Sequence, residues 1–117
     1  MTLDNLINTL SLADQSLVLL RGFDSPHASR VRTVVPALGF ESATGITIGA
    51  MLAAARSAQG VAFTDGYDEF TATGDTPCWL DFKGMPFGLE ITPELLADYI
   101  TAGVPPRGTE DHPLSTA

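Results

Sequence analysis

Apolar residues recur along the chain in two alternating rhythms. Leu3, Leu6, Ile7 and Leu10 stand at offsets of three, four and seven, which places them on one helical face. Thr2 precedes them as an N-cap and Asp4 falls in the first turn, so the spacing predicts a helix ending near Leu12. Asp14-Gln15 reads as a turn. Ser16-Leu17-Val18-Leu19-Leu20-Arg21 is short and nearly continuous, a pattern for a strand covered on both faces and stopped by Gly22. Phe23 to Ser29, with Ser25-Pro26, reads as a loop. Arg30 to Phe40 returns to a strand-like pattern that Pro36 confines to an edge or ends, and Gly39 to Gly45 is a second loop.

The central stretch carries the clearest signals. Thr47 caps a helix in which Ile48, Met51, Leu52 and Ala55 share a face, and Gly60 is its C′ residue. Tyr67-Asp68-Glu69-Phe70-Thr71-Ala72-Thr73 alternates, Gly74-Asp75 turns, and Cys78-Trp79-Leu80-Asp81-Phe82 alternates again. The spacing predicts an antiparallel hairpin, with Cys78, Leu80 and Phe82 on one face and Trp79 and Asp81 on the other. Lys83 to Gly88 is a loop exposing Met85 and Phe87, and Leu89-Glu90-Ile91 a last short strand. Thr92-Pro93-Glu94 opens a third helix with Leu95, Leu96, Tyr99 and Ile100 on its apolar face. The expected fold is α+β: a small, mainly antiparallel sheet of about four to five strands, packed by two to three helices. Residues 1–102 form one domain, and 103–117, rich in proline and without periodicity, form a disordered tail.

A chain of 117 residues can bury roughly two thirds of its unfolded surface, so a core without staples is expected. With Cys78 alone there is no internal disulfide and no thiolate cluster. The N-terminal residues lack a basic start and a long apolar run, and no run approaches the roughly 20 residues of a membrane helix, so a cytoplasmic protein without a signal peptide or membrane span is expected. The net charge is −8, and acids and bases cancel over residues 1–60, so the excess falls entirely on residues 61–117. That distribution argues against direct nucleic-acid binding, which needs a basic footprint, and favours attraction to basic protein surfaces. A solvated face that only maintains solubility is the competing explanation.

No catalytic signature stands out. His27 lies near Ser29, and with an Asp the pair would make a triad only in the right geometry; no nucleophile elbow surrounds any serine. Cys78 has acidic and apolar neighbours, which suits a buried structural thiol better than a nucleophile. Asp65, Asp68, Glu69, Asp75 and Asp81 crowd the expected hairpin. Asp65-Gly66-Tyr67-Asp68-Glu69 is only a partial echo of a calcium loop, so no metal is expected. No phosphate loop is present, and no cofactor is expected. These acids, with Trp79 on the outer face, form the candidate partner-binding surface. The alternative is a small anionic-ligand or nucleotide site formed by Ser29, Arg30, Arg32 and Tyr67. Met85, Phe87 and Leu89 form an apolar face that could support a homodimer.

The N-terminal Leu-Ile helix, the strand and Ser-Arg loop, Thr47-x-Gly49-x-x-Leu52, and the run Phe63-Thr64…Gly66-Tyr67…Glu69-Phe70…Asp75-Thr76-Pro77-x-Trp79 together resemble a set of small phage- and prophage-encoded proteins of unassigned function. The similarity covers roughly residues 3–82. It implies phage origin and no particular activity. Small acidic phage proteins without catalytic residues are often inhibitors of host defence, such as anti-CRISPR or anti-restriction proteins. The resulting expectation is a non-enzymatic inhibitor that binds a nucleic-acid-binding complex of host defence, because an acidic surface can occupy a basic nucleic-acid channel.

Overall fold

Three threonines start three helices. Thr2 Oγ1 accepts from the Asn5 amide at 3.3 Å, Thr47 Oγ1 from Ala50 at 3.1 Å and Thr92 Oγ1 from Leu95 at 3.1 Å. The computed structural model describes residues 1–29, 35–85 and 87–104, and these form an α+β fold. Its elements are α1 (Leu3–Ser11), β1 (Val18–Leu19), β2 (Gly22–Ala28), β3 (Leu38–Ala43), β4 (Ile46–Thr47), α2 (Ile48–Ala58), β5 (Ala62–Thr64), β6 (Glu69–Thr71), β7 (Cys78–Asp81), β8 (Gly88–Glu90) and α3 (Pro93–Thr101).

The main sheet has the order β2-β3-β7-β8. Its outer pairings are antiparallel, but β3 and β7 run parallel, with Leu38 opposite Cys78 and Phe40 opposite Leu80. The chain between them passes through β4, α2 and the separate β5–β6 ribbon, the kind of long crossover that a parallel pair requires. Leu38, Phe40, Cys78 and Leu80 are buried on one face of this sheet, together with Phe23. The Phe23 and Phe40 rings are tilted against each other at 4.8 Å. Leu3, Leu6 and Leu10 of α1 and Ile48, Met51, Leu52, Ala54, Ala55 and Ala58 of α2 join this core, with Leu19 of β1, Ala72, Ile91 and Leu96 of α3. Each fully buried Leu, Ile or Phe contributes roughly 1.5–3 kcal/mol.

The predicted hairpin between residues 67–73 and 78–82 does not form. β6 pairs with β5, and β7 lies inside the main sheet. The reason lies in the connection at residues 74–77. Thr76 O accepts from the Leu3 amide at 3.0 Å and Gly74 O from the Asp4 amide at 2.9 Å. These are first-turn amides of α1 that no helical carbonyl can satisfy, so the connection is held on the helix and β7 is directed to β3. The same device operates at α2, where Leu17 O and Gln15 O accept from the Ile48 and Gly49 amides at 3.0 and 2.9 Å. Only Val18–Leu19 of the expected 16–21 strand is therefore extended, paired with β4.

The loops predicted on either side of the 30–40 segment are largely strands instead. Residues 22–28 form β2, and its register shifts between Asp24 and Pro26. Ser25 occupies this bulge at φ 43°, with its amide held by Asp24 Oδ1 at 2.8 Å. The bulge lets a strand carry a proline that has no N–H to give the ladder. Gly39 to Ala43 lies in β3 rather than in a loop; of the predicted 30–40 strand, residues 30–34 are outside the described residues and the strand begins at Leu38. Gly103 and Val104, placed in the tail by sequence, continue the fold: Val104 exchanges backbone hydrogen bonds with Val18 at 2.8 and 2.9 Å. The rest of the expected tail, 105–117, lies outside the described residues.

Cys78 sits in the core on β7, and burial pushes its thiol up from the usual 9.0 to about 12, the N-terminal amino group opposing this in part. The unfolded chain ionises at lower pH than the fold, so this contribution to stability is intact below about pH 9 and is lost as pH rises toward about 12. Urea unfolding should show the wild type losing about 1–2 kcal/mol relative to Cys78→Ala between about pH 8 and about pH 10.5. Alkylation by iodoacetamide should require unfolding; rapid labelling of the native protein would contradict this burial.

Candidate functional site

The β5–β6 ribbon is held by Phe63 opposite Phe70, whose rings lie 6.0 Å apart. Its tip is a tight turn built on Asp65. One carboxylate oxygen, Oδ1, accepts from the amides of Tyr67 and Asp68, both at 2.8 Å, while the Asp65 amide donates to Asp68 O at 3.2 Å. Thr64 Oγ1 accepts from the Gly66 amide at 3.0 Å, and Gly66 takes φ 95°, a conformation open to glycine. The turn presents Tyr67 at 91 % exposure, with the exposed side chains of Asp65, Asp68 and Glu69 around it. A large aromatic ring held in solvent on a hydrogen-bonded turn loses little conformational freedom when a partner covers it.

The other residues assigned to the acidic surface lie elsewhere. Asp75 is exposed in the connection beside α1, on the turn whose Gly74 approaches the Asp4 carboxylate. Trp79 is half-buried in β7, between Gly39 and Glu90. Asp81 is only 1 % exposed and cannot belong to a solvated acidic face. β7 alternates as its sequence predicts, with Cys78 and Leu80 on one face and Trp79 and Asp81 on the other; that second face is covered at Asp81.

Asp81 meets His27, which is opposite Gly39 in the β2–β3 pairing. His27 Nδ1 lies 3.6 Å from Asp81 Oδ2 and 2.8 Å from Ala28 O, while Nε2 lies 3.3 Å from Glu41 Oε1. The Nε2–Glu41 approach is close enough for an ion pair but lacks hydrogen-bond geometry. Ser29 Oγ donates to Asp81 Oδ1 at 3.3 Å. Gly39 makes room for this group, because a Cβ there would stand 2.5 Å from Asp81 Oδ2 and 2.9 Å from Ser29 Cα.

Serine, histidine and aspartate thus come together, but in an order unsuited to nucleophilic catalysis. A relay needs the serine hydroxyl on one histidine nitrogen and the aspartate on the other. Here the serine proton is directed to the aspartate, and the far histidine nitrogen faces a second carboxylate. The group ties β2, β3 and β7 together across the outer sheet face. Its assembly had no local signal, since Ser29 and Asp81 are 52 residues apart in sequence.

The alternative ligand set is also divided. Tyr67 is at the ribbon tip and Ser29 is bonded to Asp81, while Arg30 and Arg32 lie outside the described residues. Met85, Phe87 and Leu89 are exposed as expected, and Phe87 stands 6.2 Å from Phe82. Among the described residues, no cluster of three or more His, Cys, Asp or Glu side chains is arranged to hold a metal ion, and no helix is long and apolar enough to cross a membrane.

Removing the Asp81 carboxylate leaves Ser29 and His27 facing a void in the sheet. Asp81→Ala should destabilise the fold by about 3 kcal/mol, and Ser29→Ala by about 1 kcal/mol or less, in urea unfolding. Equal small losses for both would mean that Asp81 does not organise the group. No family model, no curated protein and no solved structure matches the chain, so the resemblance to phage-encoded proteins stands on the sequence motifs alone.

Proposed function

We propose that this protein is a non-enzymatic binding protein that docks its β5–β6 ribbon on a basic protein surface. The observation that carries the reading is the ribbon tip, where Tyr67 stands almost fully exposed among Asp65, Asp68 and Glu69 on a turn fixed by hydrogen bonds. Exposed tyrosines are frequent anchors of protein interfaces, and surrounding carboxylates steer a basic partner to them. The excess negative charge of residues 61–117 extends the same field over the half of the chain that contains the ribbon.

By analogy with small acidic phage proteins that inhibit host defence, the partner in this reading is a nucleic-acid-binding complex of host defence in the bacterial cytoplasm, whose basic channel the acidic tip would occupy in place of nucleic acid. The protein itself would make no direct contact with nucleic acid.

Asp65 is unsuitable for a first test because its carboxylate holds the turn. Tyr67→Ala and the pair Asp68→Lys, Glu69→Lys leave those hydrogen bonds in place. Tyr67→Ala should weaken the complex by about 2 kcal/mol, and the charge reversal should slow association and remove its salt dependence. The partner recovered from host lysate by the wild type at low salt provides the material for surface plasmon resonance. Unchanged affinity and salt dependence in both variants would refute the docking surface.

A further inference from the structure

A second feature, independent of the ribbon, lies at the carboxyl ends of β3 and β7. The inner-face positions Phe40 and Leu80 are fully buried; two residues further along each strand direction stand Ser42, exposed, and Phe82, half-buried. The chain then leaves in two directions. β3 turns through Thr44 into β4, paired with β1, while β7 turns through Phe82 toward β8 on the sheet edge. Divergence of parallel strands at their carboxyl ends opens a crevice, the usual place for small ligands in sheets with parallel pairs. Here it is a cleft of about 320 Å³.

Arg21, Ser42, Thr44, Phe82 and Tyr99 give the cleft its chemistry. Arg21 directly precedes Gly22, which pairs with Ala43, and Arg21 and Thr44 both line the cleft. Among the described residues Arg21 makes no ion pair, and no carboxylate lines the cleft. In a chain of net charge −8 this is a local exception. Ser42, Thr44 and Tyr99, which also line the cleft, each carry a hydroxyl. The Phe82 ring, continued outward by Phe87, and the Tyr99 ring supply aromatic walls. The volume is at the small end of the range for ligand sites, enough for one planar group and its charged substituent.

We propose that this cleft binds a small aromatic anion, with the ring against Phe82 and Tyr99 and the negative group on Arg21 and the neighbouring hydroxyls. Either a mononucleotide or an aromatic carboxylate has this chemistry. Arg21 is exposed and outside the core, so Arg21→Gln removes the charge without disturbing the fold.

The test is an amide NMR titration of the full chain with AMP and, separately, with naphthalene-2-carboxylate, using adenosine as the uncharged control. At least one anion should give saturable shifts at residues 21–22, 42–44 and 82, with a Kd on the order of 1 mM or tighter. Adenosine should bind more weakly than AMP if AMP is the anion bound. Arg21→Gln should weaken binding about tenfold while leaving the rest of the spectrum in place. Saturation by AMP assigns the site to nucleotides, and saturation by the naphthoate alone assigns it to aromatic acids. No saturable shift with either anion would overturn the proposal, as would equal affinity in Arg21→Gln or shifts confined to other residues.

Discussion

The pairing of β3 with β7 is the constraint on which the rest depends. It joins a strand from the first half of the chain to one from the second, with Leu38 against Cys78 and Phe40 against Leu80 in the core. A parallel pair has no tight turn, so the intervening chain must cross over, and that crossover carries α2 into the core and leaves the β5–β6 ribbon outside the main sheet. The register of this pair also sets Glu41 beside Asp81 on the outer face, where His27 of β2 meets both.

Backbone hydrogen bonding at the helix starts secures the crossover. The first amides of α1 and α2 are met by carbonyls from remote loops, at Thr76 and Gly74 for one and at Leu17 and Gln15 for the other. Each such bond contributes about 1 kcal/mol net, but an unsatisfied buried amide costs more, so the loops have few alternative positions. The ribbon then emerges from the end of α2, where Gly60 in the left-handed region donates to Ala72 O at 2.8 Å.

The two proposed binding features differ physically. The ribbon tip offers an aromatic ring and carboxylates on a projection, which suits a large basic partner. The cleft offers one cation, hydroxyls and aromatic walls in a small concavity, which suits a small anion. The His27–Asp81–Ser29 group shows why residue types alone do not make a site: the side chains of a hydrolase meet, and their hydrogen bonds lead to the wrong atoms.

Features governed by local rules are legible in the amino-acid order alone. Thr2, Thr47 and Thr92 marked three helix starts, because a cap depends on amides only two or three residues away. The helical faces and the alternation in β7 were equally legible, since one face of each must be buried. Pairing was not legible. The antiparallel hairpin expected from Gly74-Asp75 was displaced by that segment's bonds to α1, which a local reading does not contain. Proline and glycine misled for a related reason: Pro26 is accommodated by a bulge, and Gly39 is required by side chains from β2 and β7 rather than by a turn. Tertiary structure alone buried Asp81 away from the acidic surface and set Tyr67 among its neighbouring carboxylates at the ribbon tip. It also brought Arg21 to Phe82 and Tyr99, because contacts between distant strands depend on the register of the whole sheet.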